Sequence, residues 1–373
     1  LENLPYIQTV RAWGAFMKML LVGLLVAASI LQHTQAAEIS SNISTNSVLP
    51  VRGNQRLSEI RVHDPFIVAH QPSRTYFLYT ATGPRAGLDR SGVVAYKSKD
   101  LLNWSGPHLV FTVPDGAWAN PRDGVWAPEV HEYKGKFYLF CTLHNNSAVF
   151  ATPPETVPPN HLRGSVIAES DSPSGPFKLL KTGAPVPPKN FMTLDGTLYV
   201  DLAGQPWMVY AHEWIQVTDG TMEAIRLKPD LSDAIGDPIH LFKASDAPWI
   251  NREMKPSTRE NRYVTDGPEL FRTKTGKLLM LWSSYNTNGY VQTLARSKSD
   301  SLEGPWEQLE PLVGGDSGHG MLFRTFEGQL MLVLHHPFGS PKTRAKLYEM
   351  EDTGDAMRVV RKRDDLDGGQ TAR

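Results

Sequence analysis

The sequence predicts an all-β chain folded as a five-bladed β-propeller, and three observations carry that expectation. No long segment of 3.6-residue periodicity follows Ile39. A strand–turn–strand unit recurs five times at a long spacing, and short apolar strand pairs follow the hairpins. Four strands per repeat at such a period is the signature of blades around a central channel. A β-sandwich would show about seven to nine strands without that recurrence, and a TIM barrel would need eight intervening helices.

The first unit runs from His63-Asp-Pro65 through an apolar strand to a second strand at 75–80. The second begins at Trp126-Ala-Pro128, turns at Lys134-Gly-Lys136 and returns over 137–142. The third begins at Leu194-Asp-Gly196, turns at Ala203-Gly-Gln205 and returns over 207–210. The fourth begins at Asp266-Gly-Pro268, turns at Thr275-Gly-Lys277 and returns over 278–282. The fifth begins at Gly318-His-Gly320, turns at Glu327-Gly-Gln329 and returns over 330–334. Anchored on Pro65, Pro128, Gly196, Pro268 and Gly320, the spacings are 63, 68, 72 and 52. The outer strands are plainest in the fourth copy, at 291–297 and 306–309. Segments 115–123, 152–161 and 244–263 read as long loops. The propeller is expected over 57–360, after a lead-in at 38–56 and before a charged, frayed tail at 361–373.

Composition narrows the function. The 373 residues carry 38 Lys+Arg against 39 Asp+Glu, a net charge of −1, so no broad electrostatic footprint for nucleic acid exists. A single cysteine, Cys141, excludes an intrachain disulfide and a Cys-based metal site. Near the N-terminus, Lys18 precedes an apolar run over 19–31, with small residues at Ala36 and Ala37. A charge, a short apolar core and a small-residue site describe a secretory signal peptide, too short for a comfortable membrane span of roughly 20 residues. Residues 1–16 then read as lying upstream of a start at Met17, and the mature protein as secreted or periplasmic, free of the membrane. Asn42, Asn103 and Asn145 fit the glycosylation pattern.

In a blade the innermost strand and its antiparallel neighbour place the start of the first and the end of the second on one face. The first-strand starts present Asp64, Trp126, Asp195, Asp266 and His319; the second-strand ends present Thr80, His144, Glu213, Ser284 and His335. Three Asp at matched positions facing one funnel repel one another, which separates their pKa values. A protonated acid opposite an ionised base is the machinery of glycoside hydrolysis. Trp126, Trp118, Trp214 and Tyr285 are candidates for stacking on sugar rings. His212, His335 and His336 read as hydrogen-bonding groups rather than a metal cluster.

The ordered set His63-Asp64-Pro65, Val125-Trp-Ala-Pro128, Leu194-Asp-Gly196, Asp266-Gly-Pro268 and Gly318-His-Gly320 resembles the family-43 glycoside hydrolases. That resemblance spans 57–351 and implies a five-bladed propeller that removes arabinose, xylose or galactose units with inversion. It implies Asp64 as the general base and Asp195 as the carboxylate that tunes and orients the acid. His319 matches a histidine on the channel axis, near a structural Ca²⁺ or water, and Arg344 falls where a sugar-contacting arginine is expected. No required cofactor is implied. The family's general acid is a Glu, where this chain has Asp266, shorter by roughly one carbon–carbon bond, about 1.5 Å. Glu213 is the alternative donor and Glu269 a third. Glu269 lies deeper on its strand and points the other way, and Glu129 reads as structural.

Two other readings keep the fold. The Asp at 266 is compatible with a carbohydrate-binding propeller that has lost catalysis. A retaining, fructan-cleaving relative would carry Asn-Asp-Pro and Arg-Asp-Pro motifs, where this chain has His63-Asp-Pro65 and Arg122-Asp-Gly124. A sialidase would carry repeated Ser-x-Asp-x-Gly-x-x-Trp boxes, which do not occur.

Overall fold

A computed structural model describes residues 49–150, 161–251, 262–339 and 341–368. The signal segment, the lead-in up to residue 48, Asn42 and most of the loop at 152–161 lie outside the described residues, as do 252–261 of the loop at 244–263.

Five antiparallel sheets follow one another along the chain, each strand hydrogen-bonded to the next. The first blade is β2 (Phe66–His70), β3 (Thr75–Thr82), β4 (Gly92–Ser98) and β5 (Trp104–Thr112), with β1 (Arg52–Gln55) on its outer edge. The second is β6 (Val125–Tyr133), β7 (Lys136–Val149), β8 (His161–Ser170) and β9 (Lys178–Leu179). The third is β10 (Thr193–Val200), β11 (Pro206–His212), β12 (Thr221–Leu227) and β13 (Ala234–Lys243). The fourth is β14 (Asp266–Arg272), β15 (Leu278–Asn286), β16 (Gly289–Ser297) and β17 (Trp306–Gln308). The fifth is β18 (Gly318–Arg324), β19 (Leu330–His336), β20 (Arg344–Asp352) and β21 (Met357–Lys362). The five-bladed propeller expected from the repeats is what the chain forms.

Local chemistry explains the units. Lys134 and Gly135 both take positive φ, 50° and 78°, in the two-residue turn between Tyr133 and Lys136. Two left-handed residues in a row match the twist of the strands they join, and glycine makes the second one cheap. The second strands are buried on both faces, as in Leu278 to Trp282 and Leu330 to Leu334. A strand sandwiched between neighbouring blades needs no polar face, which is why these stretches read as continuous apolar runs.

Seams between blades are filled by large side chains. Between the third and fourth blades Trp282 packs against Phe242 at 5.3 Å and Trp249 at 5.5 Å between ring centres. The ring closes by packing of the fifth blade on the first, without a strand exchanged between them, since β1 joins β5 of its own blade. Ile67 N–H reaches Met321 Sδ at 3.5 Å, Val62 N–H bonds Thr343 O, and Phe326 N–H bonds Tyr76 Oη.

Two boundary expectations need correction. The lead-in contributes a strand, Arg52–Gln55, because Gln55 and Arg52 pair with Trp104 and Gly106. The described part of the charged tail is held to the fifth blade: β21 reaches Lys362, and buried Asp367 pairs with Lys346 at 2.5 Å. Cys141 is buried in the core and free. Trp282 is fully buried at its seam, so Trp282→Ala should cost about 3–5 kcal/mol. That loss is read as a lower denaturant midpoint with an unchanged m-value.

Candidate active site

At the entry to each innermost strand one residue has left-handed φ: Asp64 at 49°, Ala127 at 41°, Asp195 at 52°, Gly267 at 52° and His319 at 51°. In the second to fifth blades the register with the next strand slips at that point. Such a bulge bends the strand and re-aims a side chain. Four of the five residues are not glycine, and each holds a conformation costing roughly 1–3 kcal/mol. Gly267 is the exception for a steric reason, because a Cβ there would lie 2.9 Å from the ring of His319. This geometry corrects the expectation of matched positions. Asp64, Asp195 and His319 are themselves the left-handed residues, whereas Asp266 and Trp126 each precede theirs by one residue. All three Asp nevertheless come together around His319.

Asp64 is caged by imidazoles. Its Oδ1 lies 2.8 Å from His63 Nδ1 and 3.3 Å from the Nδ1 atoms of both His319 and His335. Its backbone N–H donates to His335 Nδ1 at 3.2 Å, so neutral His335 carries its proton on Nε2. Burial pushes His335 down to about 4, which leaves it neutral. Burial also pushes Asp64 up, but the charges of His319 and His63 outweigh it and hold the carboxyl well below its usual range. His319 moves the other way: burial disfavours its charge, yet Asp64, Asp195 and Asp266 together raise it.

Asp195 ties three blades together. Its N–H donates to Thr142 Oγ1 at 3.0 Å, and its Oδ2 accepts the Gly267 N–H at 3.1 Å. The carboxylate therefore holds the backbone beside Asp266 and lies 4.0 Å from His319 Nδ1. Burial raises Asp195, with Asp64 adding to the rise and His319 opposing it. Asp266 Oδ2 accepts the Tyr290 hydroxyl at 3.0 Å. Burial first, then the charge of Asp195, pushes Asp266 up to about 8. The surroundings thus drive Asp64, on the first blade, toward its charged form and Asp266, on the fourth, toward its protonated form.

Glu213 follows β11 on the same face, fully enclosed, with Oε1 3.0 Å from Arg163 Nη1. Burial pushes it up to about 7 against the pull of Arg163. The Arg163 guanidinium lies 5.0 Å from the ring of Trp126, which also packs on His144 at 4.2 Å. Trp126 is 43% exposed beside these buried groups, as a stacking surface requires. Trp118 and Tyr285 are partly buried against other side chains.

The remaining expectations separate by contact. The Arg344 guanidinium bonds the carbonyls of Ser58, Pro341 and Thr343, none of them in the carboxylate cluster. Glu269 accepts the Leu322 N–H at 2.8 Å and staples the fourth blade to the fifth. Glu129 bonds His131 at 2.9 Å. His212 and His336 bond Gln216 and Ser317. His63, Asp64 and His335 bring three ligand-type atoms within 4.8 Å of one another, where His335 Nδ1 already accepts the backbone N–H of Asp64. Below it, a pocket on the axis is lined by Asp64, Glu129, Gly267, His319 and Met321. Ca²⁺ takes six to eight oxygens, so this donor set fits only a hydrated ion held through water by His319.

Tyr290 and Arg163 escaped the sequence reading. Third strands begin on the face where second strands end, so the starts of β8 and β16 carried the missing signal.

The family description "Glycosyl hydrolases family 43" matches residues 57–352. The crystal structure of an endo-arabinase from Bacteroides thetaiotaomicron VPI-5482 is 35% identical with a TM-score of 0.70, covering 80% of this chain and 98% of that one. Among curated relatives, the extracellular endo-alpha-(1->5)-L-arabinanase 1 of Bacillus subtilis (strain 168) is 24% identical over 208 residues, 53% of this chain and 58% of the relative. The extracellular exo-alpha-(1->5)-L-arabinofuranosidase ArbA of Cellvibrio japonicus (strain Ueda107) is 28% identical over 189 residues, 47% of this chain and 46% of the relative. The chain thus spans about half the length of the curated relatives it matches. Among the described residues no helix is long and apolar enough to cross a membrane. With five blades in order, three carboxyl groups around an axial histidine and a family match over most of its length, the chain belongs to glycosyl hydrolases family 43.

Proposed function

We propose that this protein hydrolyses α-L-arabinofuranosidic bonds of arabinan-type chains with inversion at the anomeric carbon. The carrying observation is the convergence of three buried Asp on His319, with Asp64 backed by His63 and His319 and Asp266 set between Tyr290 and Asp195, surroundings that push the two carboxyl groups in opposite directions. The choice of sugar rests on the printed names of the relatives. Asp266 gives its proton to the glycosidic oxygen as that bond breaks. Asp64 takes a proton from a water, which attacks the anomeric carbon from the opposite side. The cycle leaves Asp266 ionised and Asp64 protonated, and exchange with solvent restores both. Asp195 acts on Asp266 in two ways, by like-charge repulsion and by fixing the Gly267 N–H. Donor and base standing on different blades favours room for the water, which an inverting site needs.

Both proton transfers are supplied by carboxyl groups, so the reading requires no cofactor. Glu213 is the less suitable donor because Arg163 holds one of its oxygens and stabilises its charged form. Export is part of the proposal, supported by the apolar run at 19–31 and by the word "Extracellular" in both curated relatives' names.

Product stereochemistry is the first measurement. An NMR time course on linear α-1,5-arabino-oligosaccharides should show the β-anomer first; early α-anomer would mean retention. Cleavage of xylosides alone would remove the arabinan assignment.

Three variants test the roles together. Asp64→Asn should lower turnover by about 10²–10⁴ on every substrate. Asp266→Asn should lose activity on natural glycosides yet keep most of it on a dinitrophenyl glycoside, whose leaving group departs without protonation. Its basic limb, expected near pH 8 because activity needs the protonated acid, should disappear. If Glu213→Gln shows that pattern instead, the donor is Glu213. The same assays in EDTA should keep their turnover, and a loss reversed by Ca²⁺ would make the ion a requirement.

Expression with the N-terminal segment intact should deliver protein outside the cytoplasm with a mature N-terminus near Ala37 or Glu38. Full-length protein retained in the cytoplasm counts against export.

A further inference from the structure

We propose that Tyr290 is the positioning residue for the proton donor: its hydroxyl occupies Oδ2 of Asp266 and thereby assigns the transferable proton to Oδ1. This rests on the reading of Asp266 as the acid. The Tyr290 O–H donates to Oδ2 at 3.0 Å, so that oxygen serves as acceptor and the acid's own proton belongs on the other. When Oδ1 releases its proton to the glycosidic oxygen, negative charge spreads onto Oδ2. The phenol bond then becomes a charge-assisted one, stronger in the transition state than before it.

The phenol is built to stay in place. Tyr290 is fully buried at the start of β16. Its ring packs against Phe338 at 4.7 Å and Tyr285 at 4.9 Å, and lies parallel to His335 at 5.7 Å. On the remaining side the backbone of Gly318 comes so close that a Cβ there would stand 2.5 Å from a ring carbon. Asp has one torsion fewer than Glu with which to seek the leaving group, so a fixed partner on Oδ2 decides where Oδ1 points. The same ring touches His335, which takes the backbone N–H of Asp64. One side chain therefore sets the relative placement of donor and base.

The other groups acting on Asp266 are Asp195 from β10, His319 from β18 and Asp64 before β2. Against that background, removing the phenol removes a hydrogen bond to the charged form, which raises the acid's pKa.

Tyr290→Phe is the test, measured as kcat and KM on arabino-oligosaccharide and on dinitrophenyl arabinofuranoside. The expected result is a kcat lower by about ten- to a hundredfold on the oligosaccharide, with KM unchanged and near-normal turnover of the dinitrophenyl substrate. The basic limb should move to higher pH. In an Asp266→Asn background the substitution should add nothing. Gly318→Ala, which displaces the ring but keeps the hydroxyl, should reproduce the leaving-group pattern if Tyr290→Phe is poorly folded. Equal loss on both substrates, an unmoved limb, or additive loss in the Asp266→Asn background would overturn the proposal. If Asp266→Asn itself shows no leaving-group dependence, the donor assignment fails first and the role of Tyr290 falls with it.

Discussion

Asp64, Asp195 and Asp266 are buried around one imidazole, and like charges so close in a low-dielectric site cannot all ionise at neutral pH. Their environments break the tie. Asp64 is backed by His63 and His319 and keeps its charge. Asp266 has a neutral phenol and the charge of Asp195 for neighbours and keeps its proton. His319 raises its own pKa by standing among all three. Carboxyl groups of one residue type are thus set apart by their surroundings, the general route by which one site can run both acid and base chemistry.

Holding that arrangement requires backbone strain and a closed ring. Left-handed residues at the entries of the innermost strands aim Asp64, Asp195 and His319 inward. Side chains then bind blade to blade near the axis: Asp195 to Thr142 and Gly267, and Glu269 to Leu322. The last seam, between fifth and first blades, has no shared strand and relies on packing and a few cross-blade hydrogen bonds. Because Asp64 stands on one side of that seam and His319 on the other, the charge of Asp64 depends on the ring being closed.

Much of this was legible in the chain. The recurring hairpins fixed the number of blades, because each must bury two faces and so shows an apolar second strand. The ends of those strands placed His144, Glu213 and His335 on the functional face. The pairing of a low and a high carboxyl pKa was expected from three Asp in one funnel. The matched alignment of Asp266 with Asp64 and Asp195 was not correct, since a bulge shifts one residue of phase without leaving a mark in hydrophobic pattern. The partners of Arg344, the carbonyls of Ser58, Pro341 and Thr343, were not legible at all, since Ser58 stands 286 residues away.

Local sequence by itself determined the strands, the turns and the order of the blades, because hydrophobic period and turn chemistry act over a few residues. Tertiary structure alone decided which oxygen of Asp266 meets Tyr290, which histidine stays neutral and which arginine pairs with Glu213. Those properties come from burial and from partners on other blades. Tyr290 meets Asp266 from 24 residues away, and His335 meets Asp64 from 271. No periodicity encodes such a meeting; it exists only once five blades have closed on one axis.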